Sequence, residues 1–205
     1  MNTVEVFADI LCPFTHVGLH TLIDQRTERG LDEPHLRIRA WPLELINGKP
    51  LDPDHIDAEI TALRGSVRPD LFKGFSVEAF PKTSMTAFAL TAAADRTGDA
   101  VLSETVGMAL RDAVFEYGLD IGRPEVVAAI AARFSLDPLD ADTTESAVRA
   151  DWDEGRARGV IGSPHFFTGE ASWFCPGLAI SRDNVGNFVV AWKQGSETFV
   201  DSVFG

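Results

Sequence analysis

From residue 52 to about residue 159 the apolar residues recur at spacings of three and four, and this helical block lies between two segments that read as strands and helices. "DPDHIDAEITAL", "TSMTAFALTAAADRTG", "VLSETVGMALRDAVFEYG" and "RPEVVAAIAARFSLD" each carry the period, and "DTTESAVRADWDEGRARG" extends it, with Thr143 or Thr144 as N-cap and Gly159 as stop. Ahead of the block, "TVEVFAD" alternates as a strand and runs into a helix that opens at Cys12 and stops at Gly30. "HLRIRAWPLEL" (35–45) predicts a second strand, with Pro42 placing its end near Trp41. Behind the block, "PHFFTG" and "ASWFC" read as short strands joined by Gly169-Glu170, and a last helix is predicted from about Ser181 to Lys193. A helical block between two such halves predicts one α/β domain, residues 1–51 and 144–205, carrying an all-helical insertion, residues 52–143.

The chain has 205 residues and a formal charge of -13 with no basic stripe to offset it, which excludes nucleic acid as the main partner. No apolar run reaches membrane-spanning length, so no membrane partner is expected. The start, "MNTVEVFADIL", has no basic region before its apolar stretch, and the chain holds two cysteines. Both features set a cytoplasmic, reducing location as the expectation. Nothing in the sequence addresses the oligomeric state.

The chemistry is concentrated in "DILCPFTHVG" (9–18). Cys12 is predicted at a helix N-terminus, where free N–H groups and the dipole favour its thiolate by typically ~0.3–1 kcal/mol. A hydrogen bond from Thr15 or its N–H would add roughly 1.5–3 kcal/mol. At about 1.4 kcal/mol per pKa unit, these effects are expected to lower Cys12 by about one to three units and leave it mostly ionised at neutral pH. Thr15 stands where a dithiol enzyme carries its second thiol, and a hydroxyl cannot resolve a mixed disulfide. The resolving thiol must then be a small molecule or Cys175. Two short strands joined by a tight turn bring Cys175 back beside Pro164, and an apolar filler is the alternative role.

"DILCPFTHVG", "RAWPLEL", "DAVFEYGLDIGRPEVV" and "GVIGSPHFF", in that order, resemble the DsbA-like branch of the thioredoxin fold, in particular its FrnE-like and 2-hydroxychromene-2-carboxylate isomerase-like members. The resemblance implies a thioredoxin-like fold with a large helical insertion, Cys12 as nucleophile, Pro164 as a cis-proline beside it and Ser163 as the residue before that proline. Pro13 and Phe14 are expected as neighbours of a bound thiol, with Phe14 either covering the sulfur as a flat apolar contact or entering the main core. His16 and His165 depart from the family's usual residues. His16 is expected near the opening, as a thiolate partner, an acid/base group or a bystander. His165 is expected to face either cleft or sheet. Asp9 matches a family aspartate and reads as a turn-stabilising residue or as a proton acceptor.

Cys12, His16 and His20 fall four apart, but no second cluster of ligands accompanies them, so no metal is expected. No tightly bound cofactor is expected either. The three phenylalanines of "DLFKGFSVEAF" (70–80) either line a pocket or form a small helical core, and Lys82, Thr83 and Ser84 at a helix start would suit a carboxylate of a glutathione-like or mycothiol-like thiol. Three functions follow. The first is a monothiol oxidoreductase in which Cys12 acts on a small disulfide or electrophile with a low-molecular-weight thiol as co-substrate. The second is a thiol-dependent isomerase or transferase of the 2-hydroxychromene-2-carboxylate isomerase or kappa-class type, whose members commonly carry Ser at the Cys12 position. The third is a redox-sensing or ligand-binding protein without turnover.

Overall fold

The computed structural model describes residues 3–205. β1 (Thr3–Ala8) alternates its side chains: Val4, Val6 and Ala8 face one side of the sheet and Phe7 the other. It pairs in parallel with β2 (His35–Ala40) and antiparallel with β3 (His165–Thr168), and β3 pairs with β4 (Ala171–Phe174), giving the order β2-β1-β3-β4.

The crossover between β1 and β2 is α1 (Pro13–Glu28), with Pro13 in its first turn, Arg29 as C-cap and Gly30 at φ +66°. After Pro42 the chain turns into a short helix, α2 (Leu43–Asn47), instead of extending the strand. The helical block comprises α3 (Pro53–Ser66), α4 (Met85–Arg96), α5 (Ala100–Phe115) and α6 (Pro124–Arg133), followed by α7 (Ala141–Ala157). α7 starts earlier than expected. Asp140 is its N-cap, its carboxylate accepting from the Thr143 N–H at 2.9 Å and from the Thr143 hydroxyl at 2.6 Å, so neither Thr143 nor Thr144 caps.

The expected helix at 181–193 is a β-hairpin instead: β5 (Leu178–Arg182) and β6 (Phe188–Trp192) form a separate two-stranded sheet. Asp183 decides this, its carboxylate accepting from the N–H groups of Val185 and Asn187 at 2.9 and 2.8 Å while Gly186 adopts φ +93°. β-branched Ile180, Val189 and Val190 favour the flanking strands. The terminal helix is α8 (Glu197–Phe204), which buries Phe199 and Val203 with Leu19 and Leu22 of α1 against Val4, Val6 and Phe166. α7 covers the opposite face, where Phe7, Trp41, Val160 and Phe167 pack together. There a Cβ on Gly155 would stand 2.6 Å from the Trp41 ring, so glycine permits the close approach.

Ile10, Leu11 and Val17 share one apolar cluster with Ile56, Ile60, Leu63, Leu110 and Val114, so the helical block and the α/β part have a continuous core. Phe72 and Phe80 are buried in it, with Phe75 partly so. Phe72 and Phe75 pack on Phe115, making this segment a helical core and not a cavity wall. This packing seats the end of α1 that carries Cys12 under the helices.

Candidate active site

Cys12 occupies the N-cap of α1, with extended φ/ψ of -87° and 115°, and the His16 N–H closes the first turn on its carbonyl. Its thiol donates to the Ser163 carbonyl at 3.2 Å. The Ser163–Pro164 peptide is cis, as the resemblance implied. Thr15 and Ser163 hydroxyl oxygens lie 2.7 Å apart, and the Ser163 hydroxyl accepts from the Asp9 N–H at 2.9 Å. Cys12, Thr15, Ser163 and Pro164 are therefore brought together, with Pro13 buried at the first position of the helix.

The expected low pKa of Cys12 is not found. The residue is 3% exposed, and burial pushes its thiol up to about 11 although the Thr15 hydroxyl and N–H and the Ser163 hydroxyl favour the thiolate. Desolvation outweighs the helix terminus, and the Glu59 carboxylate adds to the rise. Glu59 projects from α3, is raised to about 7 by burial, and has His55 at 3.5 Å.

Asp9 stabilises the turn: its carboxylate accepts from the N–H groups of Leu11 and Leu43 at 2.9 and 2.5 Å, and burial raises it to about 6. Beneath it lies Arg111 of α5, fully buried, donating to the carbonyls of Gly107 at 2.8 Å and Asp9 at 3.4 Å. Burial lowers its guanidinium to about 10, while the charges of Asp9 and Cys12 oppose that fall.

Two expected site residues lie elsewhere. His16 faces α5, its Nε2 2.9 Å from Glu116 and its ring packed against Phe72 and Phe115. Burial lowers it to about 4. Its ring is held in the seam with the helical block by Glu116, Phe72 and Phe115, while the Cys12 sulfur turns to the Ser163 carbonyl. His165 turns into the sheet face beneath α7, with Nε2 2.7 Å from the Ser172 hydroxyl, Nδ1 accepting from the Ile161 N–H at 3.3 Å, and its ring stacked on Phe167. Burial and the nearby Arg158 hold its imidazole below the ordinary range. At the start of α4 Thr83 is also taken, while the Ser84 hydroxyl is buried without a partner. The Thr83 hydroxyl donates to Glu44 at 2.8 Å and accepts from the Met85 N–H, so it is committed within the fold.

Cys175 follows β4 and takes a left-handed φ of 42°, and its N–H donates to the Pro164 carbonyl at 3.0 Å. Its thiol is raised to about 12, by burial first and by the nearness of Cys12 second. The Cys12 thiol and the Cys175 backbone thus flank the Ser163–Pro164 peptide, and both cysteines are free. Beside them a cavity of about 220 Å³ is walled by Phe14, Pro164, Cys175, Leu178, Trp192 and Phe199. Cys12 itself is not part of its wall.

Sequence reasoning missed Glu59 and Arg111. Each is a charged residue on a buried helical stripe, Glu59 with Ile56, Ile60 and Leu63, and Arg111 with Gly107, Leu110 and Val114. A charge on an apolar face was the available signal.

A cysteine at a helix N-terminus, facing the peptide that precedes a cis-proline on an α/β sheet, defines the thioredoxin-fold class of thiol oxidoreductases and isomerases. The chain belongs to the DSBA-like thioredoxin domain family, whose model matches residues 3–179. Among solved structures it is similar to the cytosolic disulfide reductase DsbM from Pseudomonas aeruginosa, at 14% identity and TM-score 0.59, covering 83% of this chain and 87% of that one. The same reductase with GSH aligns at 17% identity and TM-score 0.56, covering 83% and 88%. A 2-hydroxychromene-2-carboxylate isomerase aligns at 15% identity and TM-score 0.53, covering 84% and 88%. No curated protein matches the chain in sequence. Among the described residues no helix is long and apolar enough to cross a membrane.

Proposed function

We propose that the protein is a cytoplasmic monothiol oxidoreductase in which Cys12 acts on a small disulfide or electrophile and a low-molecular-weight thiol of the glutathione or mycothiol kind completes the cycle. The observation that carries this reading is the Thr15 hydroxyl, 2.7 Å from the Ser163 hydroxyl, at the position of the second thiol beside the Cys12 sulfur. Cys12 loses its proton, with Glu59 as acceptor, and the thiolate attacks one sulfur of the substrate disulfide. The S–S bond breaks, and the departing thiolate takes up the proton. A second small thiol, as its thiolate, then attacks the mixed disulfide, releasing Cys12 and carrying away the oxidised sulfur pair. One of the Thr15 and Ser163 hydroxyls donates to the other across 2.7 Å, which leaves one hydroxyl proton, with the Thr15 N–H, to donate to the sulfur while it is anionic. The GSH complex of DsbM and the cytosolic location in its name support both the co-substrate class and the compartment.

The apolar cavity beside Pro164 favours a second reading, a thiol-dependent isomerase or transferase that holds a small aromatic group against Phe14 and Trp192. Two measurements separate the readings. Cys12→Ser abolishes disulfide reduction with unchanged circular dichroism if Cys12 is the nucleophile, and full retained turnover rules the thiolate mechanism out. After oxidation with glutathione disulfide, one glutathione on Cys12 supports an external thiol. Loss of two hydrogens without an adduct makes Cys175 the resolving thiol instead.

A further inference from the structure

We propose that His16, His20 and Asp112 form a binding site for a divalent transition-metal ion of the zinc class, joining α1 to α5. His16 and His20 stand one helical turn apart on α1, with rings 4.4 Å apart, and Asp112 in the last turn of α5 and Glu116, its C-cap, stand four residues apart and face them. One ligand atom from each of His16, His20 and Asp112 lies within 4.8 Å of the others. A tetrahedral site with bonds of about 2.0–2.2 Å holds its ligand atoms roughly 3.4 Å apart, so small side-chain rotations close the set. His20 and Asp112 have room for that movement, being 21% and 28% exposed.

The second observation is on His16. Its side chain is fully buried, and its Nδ1 has no hydrogen-bond partner. Its Nε2 lies 2.9 Å from a Glu116 oxygen, and Glu116 is itself held by the N–H groups of Phe72 and Lys73 at 2.6 and 3.2 Å. A carboxylate that fixes one imidazole nitrogen orients the ring and strengthens the other nitrogen as a ligand. Imidazole and carboxylate together suit zinc and its neighbours better than calcium or magnesium. Two histidine–carboxylate hydrogen bonds without a metal are the competing account.

The test is a zinc titration of the full chain against a chromophoric chelator, repeated after both thiols are blocked with N-ethylmaleimide, since Cys12 and Cys175 are alternative zinc ligands. The expected result is one zinc per chain in both preparations and a higher melting temperature with zinc. His20→Ala and Asp112→Asn, both at partly exposed positions, should abolish stoichiometric binding. Glu116→Gln should weaken it by about 10–100-fold. Cobalt in place of zinc should give tetrahedral visible bands without a thiolate charge-transfer band. Absent binding, binding lost on thiol blocking, or binding unchanged in both His20→Ala and Asp112→Asn overturns the proposal.

Discussion

The burial of Cys12 should appear directly in its alkylation rate against pH. A free cysteine with a pKa of about 8.5 is roughly one-tenth thiolate at pH 7.5. With Cys12 pushed up to about 11, its thiolate fraction there falls to about 3 in 10,000, so alkylation should run about 300-fold slower than in the denatured chain. The rate should climb about tenfold per pH unit to about pH 10. Peptide mass spectrometry separates Cys12 from Cys175, which should react later still, its thiol being raised to about 12. Thr15→Val removes a donor to the anionic sulfur worth roughly 1.5–3 kcal/mol, so the Cys12 midpoint should move up by about one to two further pH units. The same shift is a stability statement. The thiol form is favoured by the fold, so this contribution is complete below about pH 9 and is lost as the pH rises toward 11, by roughly 3 kcal/mol. A native Cys12 midpoint below pH 8, unmoved by Thr15→Val, would refute the argument that desolvation dominates the site.

Glu59→Gln removes a charge that opposes the Cys12 thiolate, so the alkylation midpoint of Cys12 should fall. Glu59 is raised from 4.5 to about 7 by burial, so its stabilising neutral form is lost as the pH rises through that window. The glutamine variant, uncharged throughout, should then be more stable than the parent at pH 8 by on the order of 2–3 kcal/mol in urea unfolding, and equal stability would discount the burial. Thr15→Cys should create a dithiol that loses two hydrogens on oxidation and gains general disulfide exchange; if it gains none, the threonine is not what limits the chemistry. Gly155→Ala forces a methyl group to within 2.6 Å of Trp41 and should destabilise the fold by about 1–3 kcal/mol in the same assay, whereas a neutral result would mean that α7 can move off the sheet.

What could be read from the sequence was local and periodic. The strand 3–9, the helix from Cys12 to its Gly30 stop, and the helical period from 52 onward all follow from side-chain spacing along one segment. The hairpin at 178–192 was lost because "LAISRDNVGNFVVAW" offers apolar residues to either period, and the deciding fact is the Asp183 carboxylate gripping two backbone N–H groups. His16 was misplaced for a related reason. Spacing sets the face of a helix, but what lies opposite that face is α5, nearly a hundred residues away. The same separation hid Asp112 from a search for metal ligands near His16 and His20. For Cys12, the favourable helix terminus was visible in the motif, while the cost of burying the sulfur under α3 depends on a tertiary contact that no motif contains.

Burial acts on each ionisable group around Cys12 in one direction. Asp9 rises to about 6, Glu59 to about 7 and Cys12 to about 11, while Arg111 falls to about 10, each displaced toward its neutral form. The enclosed site therefore disfavours any net charge, and a thiolate formed there needs its proton taken up nearby. Asp9 is poorly placed for this, because both carboxylate oxygens already accept backbone N–H groups. Arg111 carries no acceptor. Glu59 has the His55 imidazole at 3.5 Å and the Arg182 charge near it, and its pKa near 7 lets it take and return a proton at neutral pH. Moving the proton from Cys12 to Glu59 also exchanges one anion for another without changing the charge of the site. That is the transfer a desolvated cavity penalises least, which is why the proposed mechanism hands the proton to Glu59.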